Sequence, residues 1–165
     1  DENEDGEEKG RNLCAGSLVI LDFPAADKEE VIHCLCERLV KAGRVMAEFE
    51  DSVIYREKMV STEVGRGVAI PHGNPAYVRR SSVAVARMRR PVLWAEHQKV
   101  DIVFLIACES GENGQKNGVG KLKSFYRMLA VLLEDEQQQK FFREARDIQK
   151  ICALINGADM REEMR

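Results

Sequence analysis

Val100 to Cys108 reads V-D-I-V-F-L-I-A-C. A run this short and this apolar fits a strand covered on both faces, so the chain must supply cover from two sides. The flanking segments have the right pattern. Asp27 reads as a helix N-cap with Glu29 and Glu30 in the first turn, followed by Val31, Ile32, Leu35, Leu39 and Val40 at helical spacing and a stop at Gly43. A second helix is expected over 47–58, with Phe49, Val53 and Ile54 on one face. Beyond the apolar strand, Leu122, Phe125, Met128, Leu129, Leu132 and Leu133 mark an amphipathic helix, and two short helices follow at 137–144 and 148–155. Further strands are expected at 18–21, 68–70 and 82–88, with an extended piece from Pro91 through Trp94. Helices at both ends of a strand-rich middle give an α/β layered domain.

With 165 residues the chain is long enough for one well-buried core. Residues 1–16 read as a disordered acidic leader, 17–158 as the domain, and 159–165 as a frayed tail. The net charge is −3, yet residues 1–10 hold six acids and one base, so the body is nearly neutral. It lacks the basic field of a nucleic-acid binder. There is no run of 18 apolar residues, so no membrane span is expected. Cys14, Cys34, Cys36, Cys108 and Cys152 are odd in number and scattered, which favours reduced thiols and a cytoplasmic setting.

The candidate chemistry lies in Ser61 to Gly73, S-T-E-V-G-R-G-V-A-I-P-H-G. Gly65 and Gly67 punctuate a loop, Val68-Ala69-Ile70 forms a short strand, and Pro71 stops it because it lacks an N–H. Gly73 permits a turn with positive φ or a close approach. His72 is thereby presented at a strand end, where a neutral imidazole offers a lone pair near neutral pH. Around it stand groups suited to an anion. Arg56 has a planar fork for phosphate oxygens, Ser61 and Thr62 have hydroxyls, and the backbone at Gly73 and Asn74 can form a small concavity of N–H donors. Glu57 is a candidate to orient Arg56.

Plainer readings accompany each of these. His72 can be a satisfied strand-end histidine, Arg56 a helix C-terminal cation, and Ser61 and Thr62 braces of the loop. His33 near Cys34 and Cys36 lacks a fourth zinc partner, and His97 reads as a loop histidine. The Gly-rich stretch 111–120 reads as a mobile loop, and its spacing fails the phosphate-loop pattern at Gln115 and Leu122. Arg79-Arg80 and Arg87 to Arg90 read as a solvated rim or a surface for an acidic partner.

The stretch R-E-K-M-V-S-T-E-V-G-R-G-V-A-I-P-H-G closely resembles the signature of the type-2 enzyme IIA domains, the fructose/mannitol group of the bacterial sugar phosphotransferase system. The resemblance runs from about Leu18 to Gly157. It implies a three-layer α/β fold, a mixed β-sheet flanked by helices. It implies phosphorylation at His72 with Arg56 beside the phosphoryl group, phospho-HPr as donor, and an enzyme IIB domain as recipient. No cofactor, metal or direct sugar contact is implied. One departure stands out. The transport domains usually carry a second histidine where this chain reads Gly120-Lys121-Leu122-Lys123, and no histidine lies between Gly111 and Arg165. Enzyme IIA-like domains of sugar-operon regulators often lack it too, which implies an alternative role with phosphorylation of His72 as a switch.

Overall fold

The computed structural model describes residues 12–111 and 120–165. Five strands form one sheet: β1 (Val19–Phe23), β2 (Glu63–Gly65), β3 (Val68–Ala69), β4 (Ser82–Ala95) and β5 (Gln98–Ala107). Their spatial order is β1-β4-β5-β3-β2, with β1/β4 and β3/β5 parallel and β4/β5 and β2/β3 antiparallel. The sheet is therefore mixed, and β5, the apolar run, lies at its centre.

Among the described residues six helices flank the sheet or pack on its cover: α1 (Lys28–Lys41), α2 (Phe49–Met59), α3 (Lys123–Glu134), α4 (Glu136–Glu144), α5 (Ile148–Ile155) and α6 (Met160–Glu163). α1 starts as its sequence dictates, with the Asp27 side chain accepting from the Glu30 N–H at 2.9 Å, and ends before Gly43 at φ 72°. Its apolar stripe packs on β4. The other face is read from aromatic contacts. Phe104 on β5 meets Phe125 of α3 at 5.3 Å and Phe142 of α4 at 5.4 Å between ring centroids. Phe104 pairs with Val85, and Ile102 with Arg87, so these side chains share that face.

Four expectations need correction. β4 does not end at Met88 but runs through Pro91 to Ala95; its register shifts between Arg87 and Val92, a bulge that accommodates a residue with no N–H. Arg87 is not part of a solvated rim. It is buried, donating to the carbonyls of Phe142 at 2.9 Å and Ala145 at 2.6 Å, and it ties β4 to the end of α4. The tail is helical at 160–163, because Asp159 caps α6 through the Arg161 N–H and Met160 is buried. Of the acidic leader, residues 1–11 lie outside the described ones, but Leu13 and Cys14 are buried and the Leu13 carbonyl accepts from Val83. The loop expected at 111–120 lies outside the described residues but for its ends.

Candidate functional site

β2 and β3 form a tight hairpin through Gly65, Arg66 and Gly67, all with positive φ (97°, 57° and 75°). β3 then runs beside β5, with Val68 opposite Ile102 and Ala69 opposite Val103. The chain keeps this register past Pro71, and His72 bridges to Ile106, whose N–H donates to the Pro71 carbonyl at 2.9 Å. His72 thus stands on extended backbone at the end of the central strand, half-buried. Its Nδ1 lies 3.1 Å from the Ile70 carbonyl. A carbonyl only accepts, so Nδ1 carries the proton and Nε2 keeps the lone pair. Nε2 has no hydrogen-bond partner among the described residues.

The backbone after His72 is clamped by α2. A Cβ on Gly73 would fall 2.5 Å from Ser52 Oγ, 2.7 Å from Phe49 and 2.8 Å from Val53. The φ of Gly73 is not positive, so of the turn and the close approach expected there the close approach holds, and what it meets is a helix. Ser52 Oγ also accepts from the Asn74 N–H at 2.9 Å, and the Asn74 side chain caps the short turn Pro75–Tyr77 through Ala76. The Asn74 N–H is therefore already committed to protein.

Arg56 follows Ser52 by four residues, on the same face of α2 and one turn on. That face is the one that holds the chain after His72. The guanidinium donates to the Val60 carbonyl at 3.2 Å and has no carboxylate partner among the described residues. Glu57 does not orient it. Glu57 is buried and accepts from Trp94 Nε1 at 2.7 Å, Thr62 Oγ1 at 2.6 Å and the Thr62 N–H at 3.0 Å. Thr62 is buried with its hydroxyl given to that carboxylate, so it braces the loop. Ser61 is exposed and accepts from the Glu63 N–H at 3.2 Å; its own O–H has no acceptor among the described residues. Tyr55, Met59 and Val60, on and just past α2, are exposed apolar residues near Arg56.

Sequence reasoning missed Ser52, although its spacing of four from Arg56 was available as a signal. It also missed the Glu57–Trp94 bond, which joins residues 37 positions apart and leaves no local trace. At the same end of the sheet, Lys121 pairs with Glu109 at 2.6 Å, and Ser81 bonds the same carboxylate. Burial pushes the Glu109 carboxyl up, but the Lys121 ammonium and Ser81 outweigh it and hold the group below the usual carboxylate range. Lys121 lies in the stretch Gly120 to Lys123, where the resemblance led a second histidine to be expected, and its ammonium is paired with Glu109.

With this geometry in place, likeness to known proteins can be weighed. The sequence matches the family described as "Phosphoenolpyruvate-dependent sugar phosphotransferase system, EIIA 2" over residues 12–158. The chain belongs to that family. A multiphosphoryl transfer protein of Shigella flexneri is 34% identical over 152 residues, covering 90% of this chain but 18% of that protein. A probable licABCH operon regulator of Bacillus subtilis is 31% identical over 152 residues, covering 92% of this chain and 23% of the regulator. The chain thus spans about a fifth of these relatives. In structure it resembles the enzyme IIA of the mannitol system in its complex with phosphorylated enzyme IIB from Escherichia coli. The TM-score is 0.72 at 24% identity, over 88% of this chain and 98% of that one, which establishes the fold of this enzyme IIA domain. No helix among its described residues is long and apolar enough to cross a membrane.

Proposed function

We propose that this enzyme IIA domain is a histidine phosphocarrier, accepting a phosphoryl group from phospho-HPr on Nε2 of His72 and passing it to an enzyme IIB domain. The observation that carries the reading is the Nδ1–H bond to the Ile70 carbonyl, which aims one nitrogen into the body and leaves the other as nucleophile. The Nε2 lone pair forms the new N–P bond as the P–N bond to the donor imidazole breaks, and the donor nitrogen keeps that electron pair. Positive charge grows on the His72 ring as it bonds phosphorus, and the Ile70 carbonyl stabilises it through the retained Nδ1–H. Such transfer rests chiefly on positioning and on charge, and Arg56 supplies the charge for the phosphoryl oxygens. Ser61 adds a hydroxyl, the Gly73 backbone frames the anion, and Thr62 and Asn74 hold the frame. The exposed apolar residues Tyr55, Met59 and Val60 give a protein partner a surface beside Arg56.

Incubation with phosphoenolpyruvate, enzyme I and HPr tests this directly. Phosphorus NMR is expected to show an acid-labile phosphoimidazole in the wild type and none in His72→Ala, with the circular dichroism unchanged. An unlabelled wild type, or labelling that survives in His72→Ala, would refute it.

A second reading is favoured by the 31% identity to an operon regulator and by the absence of a histidine from Gly120 to Lys123, where Lys121 is instead bonded to Glu109. On that reading the same phosphohistidine is a switch. It forms, persists, and is not handed on when enzyme IIB is added.

A further inference from the structure

Two thiols outside the His72 site touch each other. Cys14 Sγ donates to Cys152 Sγ at 3.9 Å across 138 positions of sequence, and the two residues are 1% and 5% exposed. The contact is set by Asn156, one helical turn past Cys152. Its side-chain oxygen accepts from the Cys14 N–H at 3.0 Å, and its Nδ2 donates to the Cys14 carbonyl at 2.9 Å. This bracket holds the backbone of Cys14 against the end of α5. Cys34 and Cys36, two apart on α1, point to different sides of their helix. The hydrogen bond from Cys14 holds the Cys152 thiol below its ordinary range despite burial, while the same bond and burial push Cys14 up. Burial pushes Cys34, Cys36 and Cys108 up as well. Cys152 is thus the best nucleophile of the set, because the thiolate is the reactive form. The segment over the pair is lightly held. Residues 12–15 belong to no helix or strand. Apart from the Asn156 bracket, the Leu13 carbonyl accepts from Val83 at 2.9 Å and the Asn12 carbonyl from Arg44 at 2.9 Å. Such a segment opens locally at a fraction of the cost of global unfolding, and its opening bares both sulfurs.

We propose that Cys14 and Cys152 form a reversible redox site, closed to a disulfide by a peroxide and reopened by a small thiol. When residues 12–15 lift, the Cys152 thiolate attacks one peroxide oxygen. The O–O bond breaks, the other oxygen leaves as hydroxide and is protonated to water, and Cys152 becomes a sulfenic acid. As the segment settles back, the Asn156 bracket returns Cys14 to that sulfur. The Cys14 sulfur forms the S–S bond, the S–O bond breaks, and the oxygen departs as water with the Cys14 proton. The two thiols lose two electrons, and the peroxide becomes two waters. Two equivalents of a small thiol reverse the change and become a disulfide themselves. The sulfurs have to close from 3.9 Å to about 2.05 Å, a distance that side-chain rotation and a small shift of an irregular segment supply. The bond staples residues 12–15 to α5. It also closes a loop over most of the described chain, which favours the folded state. Leu13 is bonded to Val83, Val83 pairs with Ile106, and Ile106 bridges to His72, so the stapled segment borders the end of the sheet that bears His72.

The experiment exposes the reduced chain to hydrogen peroxide and follows it by intact mass and by peptide mapping without reductant. The loss of two hydrogen atoms and a linked pair of peptides holding Cys14 and Cys152 are expected, both undone by dithiothreitol. The oxidised chain is expected to melt about 5 °C higher or more. The Cys14 and Val83 amides are expected to exchange with solvent about tenfold more slowly once the segment is stapled. Cys14→Ala and Cys152→Ala are each expected to lose the linked pair and the rise in melting temperature, whereas Cys108→Ala keeps both. Cys14 and Cys152 left unlinked under a large excess of peroxide would overturn the proposal. So would a link between any other two cysteines in their place, or a linked chain that melts no higher than the reduced one. These readouts concern thiols, melting and amide exchange, so none of them bears on whether His72 accepts a phosphoryl group.

Discussion

Two buried polar centres of this domain are opposites. Beneath the His72 loop, the Glu57 carboxylate receives three donors from Trp94 and Thr62. On α4, the buried Gln138 amide oxygen receives none among the described residues. A saturated centre makes the backbone above it stiff and leaves nothing for a ligand there. Its service to the site is indirect, because it fixes Thr62 and with it the start of the loop that leads to His72. An unsaturated centre is a standing cost in the folded chain.

The sharpest way to break this comparison is to remove both polar groups in the same manner. Glu57→Leu strands the Trp94 and Thr62 donors and is expected to cost about 3 kcal/mol in urea unfolding. Gln138→Leu removes an already unpaired oxygen and is expected to leave stability within about 0.5 kcal/mol or raise it. Similar losses in the two variants would erase the distinction. Next in size is Arg56→Ala. It is expected to slow phosphoryl transfer about a hundredfold while the urea midpoint barely moves. If the variant is as fast as wild type, the guanidinium is a helix-end cation and no more. Gly73→Ala pushes a methyl into Ser52, Phe49 and Val53, and is expected to cost about 2 kcal/mol together with a slower labelling of His72. An unperturbed variant would mean that the α2 clamp is loose.

The smallest effect is one of pH. The Glu50 carboxylate bonded to His33 raises the pKa of that imidazole above its ordinary value, and the pair ties α1 to α2. A raised folded-state pKa gives stability that is full below the unfolded value and lost as pH rises through the folded one. The difference in melting temperature between wild type and His33→Ala is therefore expected to be larger at about pH 5.5 than at about pH 9. A difference that grows with pH would reverse the sign and remove the link between the helices.

What could be read along the chain was what local chemistry decides. The Asp27 cap, the helical stripe of α1, the buried run of β5 and the isolation of His72 between Pro71 and Gly73 all follow from neighbours in sequence. The partners of Thr62, Asn74 and Glu57 could not be read, since each is chosen by a residue brought in by packing. Thr62 and a phosphate-binding threonine have the same sequence neighbours; only the arrival of Glu57 beneath it decides between them. Pro91 misled for a related reason. A proline does stop a ladder locally, but β4 bulges past it and resumes on β5 because the pairing on either side is long enough to hold.

The hairpin before β3 is fastened at its tip as well. Arg143 bonds both Asp101 and the Arg66 carbonyl, and a Cβ on Gly67 would fall within 2.7 Å of Asp101. The chain around His72 is consequently bolted down from two directions, by α2 after it and by α4 before it. A group so mounted makes a poor lever. Were the proposed phosphohistidine to form there, whatever reads it would have to come to the surface and sense a changed label, because the backbone on both sides is held.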